Sequence, residues 1–342
     1  MPVILQTEEL LNMYSSLPML DVRSEGEYAQ GHIPGAINMP LFNNEERAVV
    51  GTLYKQTGKE AALEKGLEFV GPKMASMVRQ AREIAGASKK IALYCWRGGM
   101  RSGSIAWLLE TAGLEVFLLQ GGYKAYRRAV LELFDQPLPL KILGGYTGSA
   151  KTEILQEMKT MGVQVIDLEA LAHHKGSAFG ALGQPQQPTS EQFENELYRQ
   201  LCQMDLSQPI WMEDESRNMG KVYLPQQLYR RIQECSMYFI ERPLKVRVEF
   251  LMQHYGIFPI SALEEAIHKI KKRLGDELFR YILEQLHAGN LRDVCTKLLN
   301  YYDRAYYRLT SQRNQELVLR IPFPDQLTIH QIAEMILTYE SH

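Results

Sequence analysis

The segment LYCWRGGMRSGS, residues 93–104, sets one thiol between an apolar run and a stretch of glycine and arginine. A cysteine that only fills a core sits among apolar neighbours. Cys95 instead precedes Arg97, Gly98, Gly99 and Arg101, and the helical pattern SGSIAWLLE follows. Backbone N–H groups at a helix start and nearby guanidinium groups favour an anion. Such a setting lowers a thiol's pKa and populates the nucleophilic thiolate. Cys95 is therefore the candidate nucleophile, with Arg97 and Arg101 the candidate partners of an oxyanion.

A second segment, KILGGYTGSAKTEIL, runs through Gly145, Thr147, Gly148, Ser149, Ala150, Lys151 and Thr152. It matches the pattern G-x-x-x-x-G-K-[ST], with Ala150 in place of the last glycine. An apolar strand pattern precedes it and a helical pattern follows, the setting of a phosphate loop. Backbone N–H groups there cradle a diphosphate, Lys151 neutralises it, and Thr152 reaches a metal such as Mg2+. A glycine-rich turn with an incidental lysine is the alternative. Ala150 keeps its N–H but adds a methyl where the backbone approaches phosphate. Glycine at this helix start is expected to cost at most about 1 kcal/mol of local stability.

Three acids end apolar strands near this loop in the sequence: Asp167 in VQVID, and Glu213 and Asp214 in PIWMED. Each is either an acid of the metal or phosphate site or a structural cap. HHKGSAFG, residues 173–180, places Lys175 beside glycine. It is either a loop over the phosphate site or an ordinary surface loop. His173 and His174 are adjacent and point apart on a helix, which argues against a metal site built from the pair.

These residues need elements to position them. The chain has 342 residues, 45% of them hydrophobic and 23% charged, an ordinary globular composition with room for two or three domains. The N-terminal residues show no basic region followed by an apolar stretch, and no run is apolar enough to span a membrane, so secretion and membrane partners are not expected. Four widely spaced cysteines without a C-x-x-C pair point to a reducing, cytoplasmic setting. The fold class expected is α/β. Strand patterns PMLDVRS, KKIALYC and LEVFLLQGG alternate with helices over residues 1–134, and Gly113 ends the helix SIAWLLETAG. DQPLPL reads as a linker. A second α/β unit spans 139–245, with strands KILGG, VQVIDLE and PIWMEDES. TSEQ predicts a helix start at Thr189 or Ser190. Residues 246–342 read as a helical region, with ELVLRIP its one strand candidate.

The formal net charge is −2, so a polyanion would have to meet a local basic surface. Residues 241–310 hold 12 Lys and Arg against 9 Asp and Glu. KIKKRLG supplies Lys271, Lys272 and Arg273; YYDRAYYRL interleaves tyrosines with Arg304 and Arg308. Tyrosine and arginine planes stack on splayed RNA bases. The same spacing also suits a packed core and a solvated charged face.

DVRSEGEYAQGHIPGAINMP, residues 21–40, with Cys95 at a strand end, resembles a rhodanese domain. That resemblance implies a cysteine carrying sulfur or selenium, with Asp21 and Arg23 organising the loop and the GHIPGA turn structural. Catalytic roles for Asp21 and His32 are not expected. The spacing from Cys95 to Arg101 is one residue longer than in a common rhodanese loop. C-x5-R-S is also a phosphatase loop, which wraps a tetrahedral anion with backbone donors and one arginine. The whole order of YCWRGGMRSGSIAWLL, GGYTGSAKT, DLEALAHHKGSAFG and WMEDESRN resembles the tRNA 2-selenouridine synthase family. The resemblance implies conversion of wobble 2-thiouridine to 2-selenouridine with selenophosphate, through an S-geranyl intermediate made from geranyl diphosphate. It implies no tightly bound cofactor. Two other readings remain at this point: a cysteine-dependent phosphatase fused to a nucleotide-binding P-loop domain, and a non-catalytic nucleotide sensor.

Overall fold

In the computed structural model, residues 2–13 and 17–340 are described. The chain divides into two compact units. The first is Met1–Leu133 with Glu194–Cys202; the second is Phe134–Phe193 with Gln203–His342. Residues 246–342, read from the sequence as a helical region, are mostly helical. They share one unit with the phosphate loop.

The first unit is built on five parallel strands: β1 (Val3–Leu5), β2 (Met19–Asp21), β3 (Ile37–Asn38), β4 (Lys90–Tyr94) and β5 (Glu115–Leu119). Their order is β1-β5-β4-β2-β3, with β4 in the middle. Leu20, Ile91, Leu93, Ile105, Leu109 and Val116 share its core. Burial on both faces explains the unbroken apolar run of β4. Ser24 and Glu27 close a capping box on helix Glu25–Gln30.

The Asp21–Arg23 pair lies at the C-terminal end of β2, beside Tyr94, and is buried. The Asp21 carboxylate accepts from the Arg23 backbone N–H at 2.9 Å and from its guanidinium at 2.5 and 3.0 Å. The guanidinium also donates to Gly31 O at 2.7 Å and lies 3.8 Å from the centre of the Tyr123 ring. This pair is structural. His32 stacks on Tyr28 at 3.8 Å.

The second unit repeats the plan with β6 (Leu140–Gly145), β7 (Gln164–Ile166), β8 (Ile210–Glu213), β11 (Met237–Glu241) and β12 (Val318–Pro322). A short antiparallel pair, β9 (Asn218–Met219) and β10 (Val222–Tyr223), stands apart. The parallel order is β12-β11-β6-β8-β7. ELVLRIP does form a strand, and it closes the edge of this sheet. Helix Ile329–Glu340 shares a core with helix Lys151–Thr160 through Ile332, Ile336, Ile154 and Met158. Helix Ser190–Leu201 starts where TSEQ predicts, with Thr189 Oγ1 accepting from the Gln192 N–H at 3.0 Å. Helices Leu244–Tyr255, Ile260–Lys269, Asp276–His287 and Leu291–Thr310 complete the unit.

Removing one partner of the Asp21–Arg23 pair strands a charge in the core. We expect Asp21→Ala to lower stability by about 3–5 kcal/mol. Removing the exposed Lys65–Glu68 pair (2.6 Å) is expected to change it by about 1 kcal/mol or less. Denaturant midpoints of the two variants check the contrast; equal shifts would contradict it.

Candidate functional site

Cys95 stands one residue past β4 and is buried. The loop after it enters helix Met100–Thr111. The start of helix Gly122–Asp135 clamps the loop. The Tyr123 and Lys124 N–H groups donate to Cys95 O and Trp96 O, each at 2.9 Å. Gly122 has φ +60, and a Cβ there would lie 2.3 Å from Cys95 O and 2.6 Å from Gly98 N. Only glycine allows this approach. Cys95 Sγ lies 3.2 Å from Ser102 Oγ, which is itself 3.1 Å from Gly99 O. Burial pushes the thiol pKa up. Hydrogen bonds from the Ser102 hydroxyl and the N–H groups of Arg97, Ser102 and Gly99 outweigh burial and bring it below the ordinary value.

The two arginines of this loop differ. Arg97 is exposed and makes no ion pair among the described residues. Arg101 donates to Glu27 Oε2 at 2.7 Å, and Glu27 also caps helix Glu25–Gln30. The Arg101 guanidinium is thus held by the scaffold. A phosphatase loop needs that group free to grip the anion. Sequence reasoning missed Ser102, Glu27 and Gly122; the S-x-x-E capping box was the visible sign of Glu27.

In the second unit the phosphate loop leaves the C-terminal end of β6 and enters helix Lys151–Thr160. Gly148 has φ +81, and a Cβ there would meet Arg247 O at 3.0 Å. Arg247 is buried; it donates to Thr147 O at 3.2 Å and to both oxygens of Asp303 at 2.9 and 2.8 Å. The Ser149 hydroxyl is buried without a hydrogen-bond partner among the described residues, as expected of a donor meant for a ligand. Ala150 has φ +63 and ψ +37. That left-handed conformation reverses the sequence expectation: alanine, not glycine, carries the local penalty here.

Lys151 Nζ donates to Gly145 O at 3.3 Å and lies 3.9 Å from Glu213. Burial lowers its pKa, but Glu213, Glu215, Glu169 and Asp214 outweigh burial and raise it. Thr152 Oγ1 donates to Glu213 Oε1 at 2.6 Å. Glu169, Glu213 and Glu215 bring carboxylate oxygens within 4.8 Å of one another. Burial and mutual repulsion push Glu169 up to about 10 and Glu215 up to about 8; burial also raises Glu213. An all-oxygen set with too few cations suits a hard divalent ion such as Mg2+.

Of the three acids expected from the sequence, only Glu213 joins this cluster. Asp167 caps helix Leu168–Ala172 through the Ala170 N–H at 2.8 Å and accepts from Gln156 at 2.8 Å. Asp214 accepts from the Tyr306 hydroxyl at 2.6 Å and pairs with Arg313. Both are thus held by scaffold partners, and Asp214 also lines the cavity beside Lys151. Glu169 and Glu215 were missed; Glu215 stands two residues past Glu213, a spacing that returns a side chain to the same face of an extended chain. The loop 173–180 lies against the cluster. A Cβ on Gly176 would fall 2.6 Å from a Glu215 carboxylate oxygen.

The loop opens into a cavity of about 1050 Å³. Its polar end is the phosphate loop with Glu169, Glu213 and Glu215. Its lining also takes in one apolar cluster, with Leu263, Ile267, Leu286, Val294 and Leu298, and Leu251 beside Gly148. Lys271, Lys272 and Arg273 are exposed on helix Lys271–Leu274, and Arg273 borders the cavity. Arg304 and Arg308 are exposed one turn apart without ion pairs among the described residues. Of the four tyrosines in this stretch, Tyr307 alone is exposed; Tyr301 and Tyr302 pack on the helical core and Tyr306 holds Asp214.

Two parallel-sheet units, one with a loop cysteine and one with a phosphate loop, define a rhodanese-like domain joined to a P-loop domain. Residues 6–129 match the rhodanese-like domain family, and residues 138–259 match the tRNA 2-selenouridine synthase AAA domain. The chain is 36% identical over 296 residues to a tRNA 2-selenouridine synthase of Nitrosomonas europaea, covering 82% of this chain and 76% of that protein. A tRNA 2-selenouridine synthase of Nitrosomonas eutropha is 37% identical over 271 residues, covering 77% and 69%. A rhodanese-related protein of Thermoplasma volcanium with a solved structure is 19% identical, covering 37% of this chain and 91% of that one, with a TM-score of 0.24. The chain belongs to the tRNA 2-selenouridine synthase family. Among the described residues, no helix is long and apolar enough to cross a membrane.

The geometry yields two tests. Ser102→Ala removes a donor to the Cys95 sulfur, so the pH midpoint of Cys95 alkylation by iodoacetamide should move upward; an unchanged midpoint contradicts this role. Ala150→Gly relieves a left-handed alanine and should raise stability by about 1 kcal/mol, read as a higher Tm. A lower Tm would restore the sequence expectation.

Proposed function

We propose that this chain converts 2-thiouridine at the wobble position of tRNA to 2-selenouridine, in two steps carried by its two units. The observation that most supports it is the cavity, which joins an anion cradle to an apolar chamber. Geranyl diphosphate has that same division. Its diphosphate would lie on the N–H groups of Gly148–Lys151 with Lys151 and Ser149 as further donors. Its hydrocarbon would fill the chamber at about 0.8 kcal/mol per buried CH2.

The thiocarbonyl sulfur attacks C1 of the geranyl group. The S–C1 bond forms, the C1–O bond breaks, diphosphate departs and the N3 proton of the base is lost. Preorganised donors at the loop stabilise the departing charge. Glu169, Glu213, Glu215 and Thr152 would hold a divalent cation there, which would draw charge from the leaving group. Alkylation turns a poor leaving sulfur into a thiolate leaving group. In the second step the Cys95 thiolate, as nucleophile, would attack the phosphorus of selenophosphate, so that the S–P bond forms and the P–Se bond breaks; the selenide released bonds to C2 as the C2–S bond breaks and geranylthiolate leaves, and water then frees phosphate from Cys95. Arg97 and the loop N–H groups would hold the phosphoryl oxygens. Arg101 would act through the shape of the loop, since Glu27 holds it. Lys271, Lys272, Arg273, Arg304 and Arg308 would contact the tRNA.

Nucleoside mass spectrometry on tRNA treated with each variant tests the division. Cys95→Ser should abolish selenouridine and leave S-geranyl-2-thiouridine. Lys151→Ala should remove a charge-assisted phosphate contact, about 1.5–3 kcal/mol, so the geranyl diphosphate needed should rise roughly ten- to hundredfold. Equal loss of both products in folded Cys95→Ser protein contradicts the two-unit assignment.

A further inference from the structure

The loop at 173–180 carries a cation that the chemistry above leaves unused. Helix Leu168–Ala172 ends at His173. His174 is then buried and wedged between two glycines: a Cβ on Gly180 would lie 2.7 Å from its ring, and one on Gly220, in the turn between β9 and β10, 2.8 Å. The Lys175 N–H donates to Gly180 O at 3.0 Å and the Gly180 N–H to Ser177 O at 2.9 Å, which closes the loop on itself. Gly176 sets its backbone against the Glu215 carboxylate. The loop is thus anchored on one side by His174 and held on the other against the acid cluster.

Lys175 stands between those two anchors, half-buried, and lines the same cavity as the phosphate loop. Its Nζ lies 5.8 Å from the centre of the Tyr255 ring. Tyr255 is itself near the cluster: burial, and then the Glu169 carboxylate, push its hydroxyl pKa up. Other basic side chains of the cavity wall are already answered. Lys151 faces Glu213 at 3.9 Å, Arg313 pairs with Asp214, and His254 lies 3.4 Å from Glu153. Lys175 makes no ion pair among the described residues.

We propose that Lys175 is a second cationic ligand of the diphosphate, presented by the 173–180 loop to the anion that the phosphate loop holds. The proposal rests on the reading that a diphosphate lies on Gly148–Lys151. That ligand is a multiply charged anion, and it enters a wall where three carboxylates already face one ammonium. Backbone N–H groups supply partial charge only. An ammonium on a flexible stem, with no carboxylate of its own, supplies a full one. A lysine whose stem only covers Tyr255 would not respond to the anion, so the two roles separate by experiment.

The test titrates full-length protein with inorganic diphosphate in the presence of Mg2+, read by calorimetry. Lys175→Met keeps an apolar stem on Tyr255 and removes the charge; its Kd should rise roughly tenfold or more. Lys159→Ala removes an exposed lysine from the far end of helix Lys151–Thr160 and should bind as the wild type does. A second measurement needs no variant. Saturating diphosphate should protect Lys175 of the wild-type protein from acetic anhydride, read by peptide mass spectrometry, and leave Lys159 labelled as before. A Kd for Lys175→Met within about twofold of wild type, equal weakening by Lys159→Ala, or Lys175 labelled alike with and without diphosphate overturns the proposal and leaves the phosphate-loop reading standing. If wild-type protein binds no diphosphate, that reading fails and the role of Lys175 with it.

Discussion

A parallel strand in the middle of a sheet has no hairpin to return through, so its chain must leave into a loop and then a covering helix. Both chemistries depend on that constraint. β4 lies between β5 and β2, and Cys95 follows it; β6 lies between β11 and β8, and the phosphate loop follows it. In each case the next helix begins within a few residues and turns its free N–H groups toward the loop. The C-terminal ends of two central strands thus gather free N–H groups twice, once around a sulfur and once at the phosphate-loop motif. What differs is what the neighbours add: a serine hydroxyl and a glycine-tight clamp in the first, a half-buried lysine and three carboxylates in the second.

The surroundings separate structural charge from functional charge. Asp21 and Arg23 satisfy each other, with Gly31 O and the Tyr123 ring taking what is left of the guanidinium. Asp214 is likewise saturated by Tyr306 and Arg313. Glu169, Glu213 and Glu215 are not: three acids face one ammonium, and two of them are pushed far above the carboxylate range. A folded chain keeps such an imbalance at a place where a ligand brings the missing charge.

Motifs with a backbone rationale were legible in the sequence. The strand–loop–helix at 141–155, the cysteine loop, the Thr189 helix start and the strand in ELVLRIP all follow from local pattern. What local pattern could not give was pairing across the chain. β11, in SMYFIE, lies beside β6, and β12, from beyond residue 246, pairs with β11 in the same sheet. β1 is a three-residue edge strand, and β3 has two residues, both too short for any period to emerge. The acids show the same limit: Asp167 and Asp214 end strands as a metal ligand would, and only the partners that saturate them reveal caps and ties. Ala150 is the reverse case. The substitution was visible, but the φ of +63 that gives it meaning was not.

The apolar chamber explains why the phosphate loop sits within a helical wall. In the proposed geranyl transfer, departure of diphosphate from an allylic carbon would leave positive character on the hydrocarbon, and water at that carbon would capture it. Apolar lining residues such as Leu263, Ile267, Leu286, Val294 and Leu298 would keep water from such a hydrocarbon. Arg247 braces the loop: its backbone blocks a side chain at Gly148, and its guanidinium ties Thr147 O to Asp303 on helix Leu291–Thr310. A residue that reads as one more basic position in the sequence therefore ties the phosphate loop to helix Leu291–Thr310.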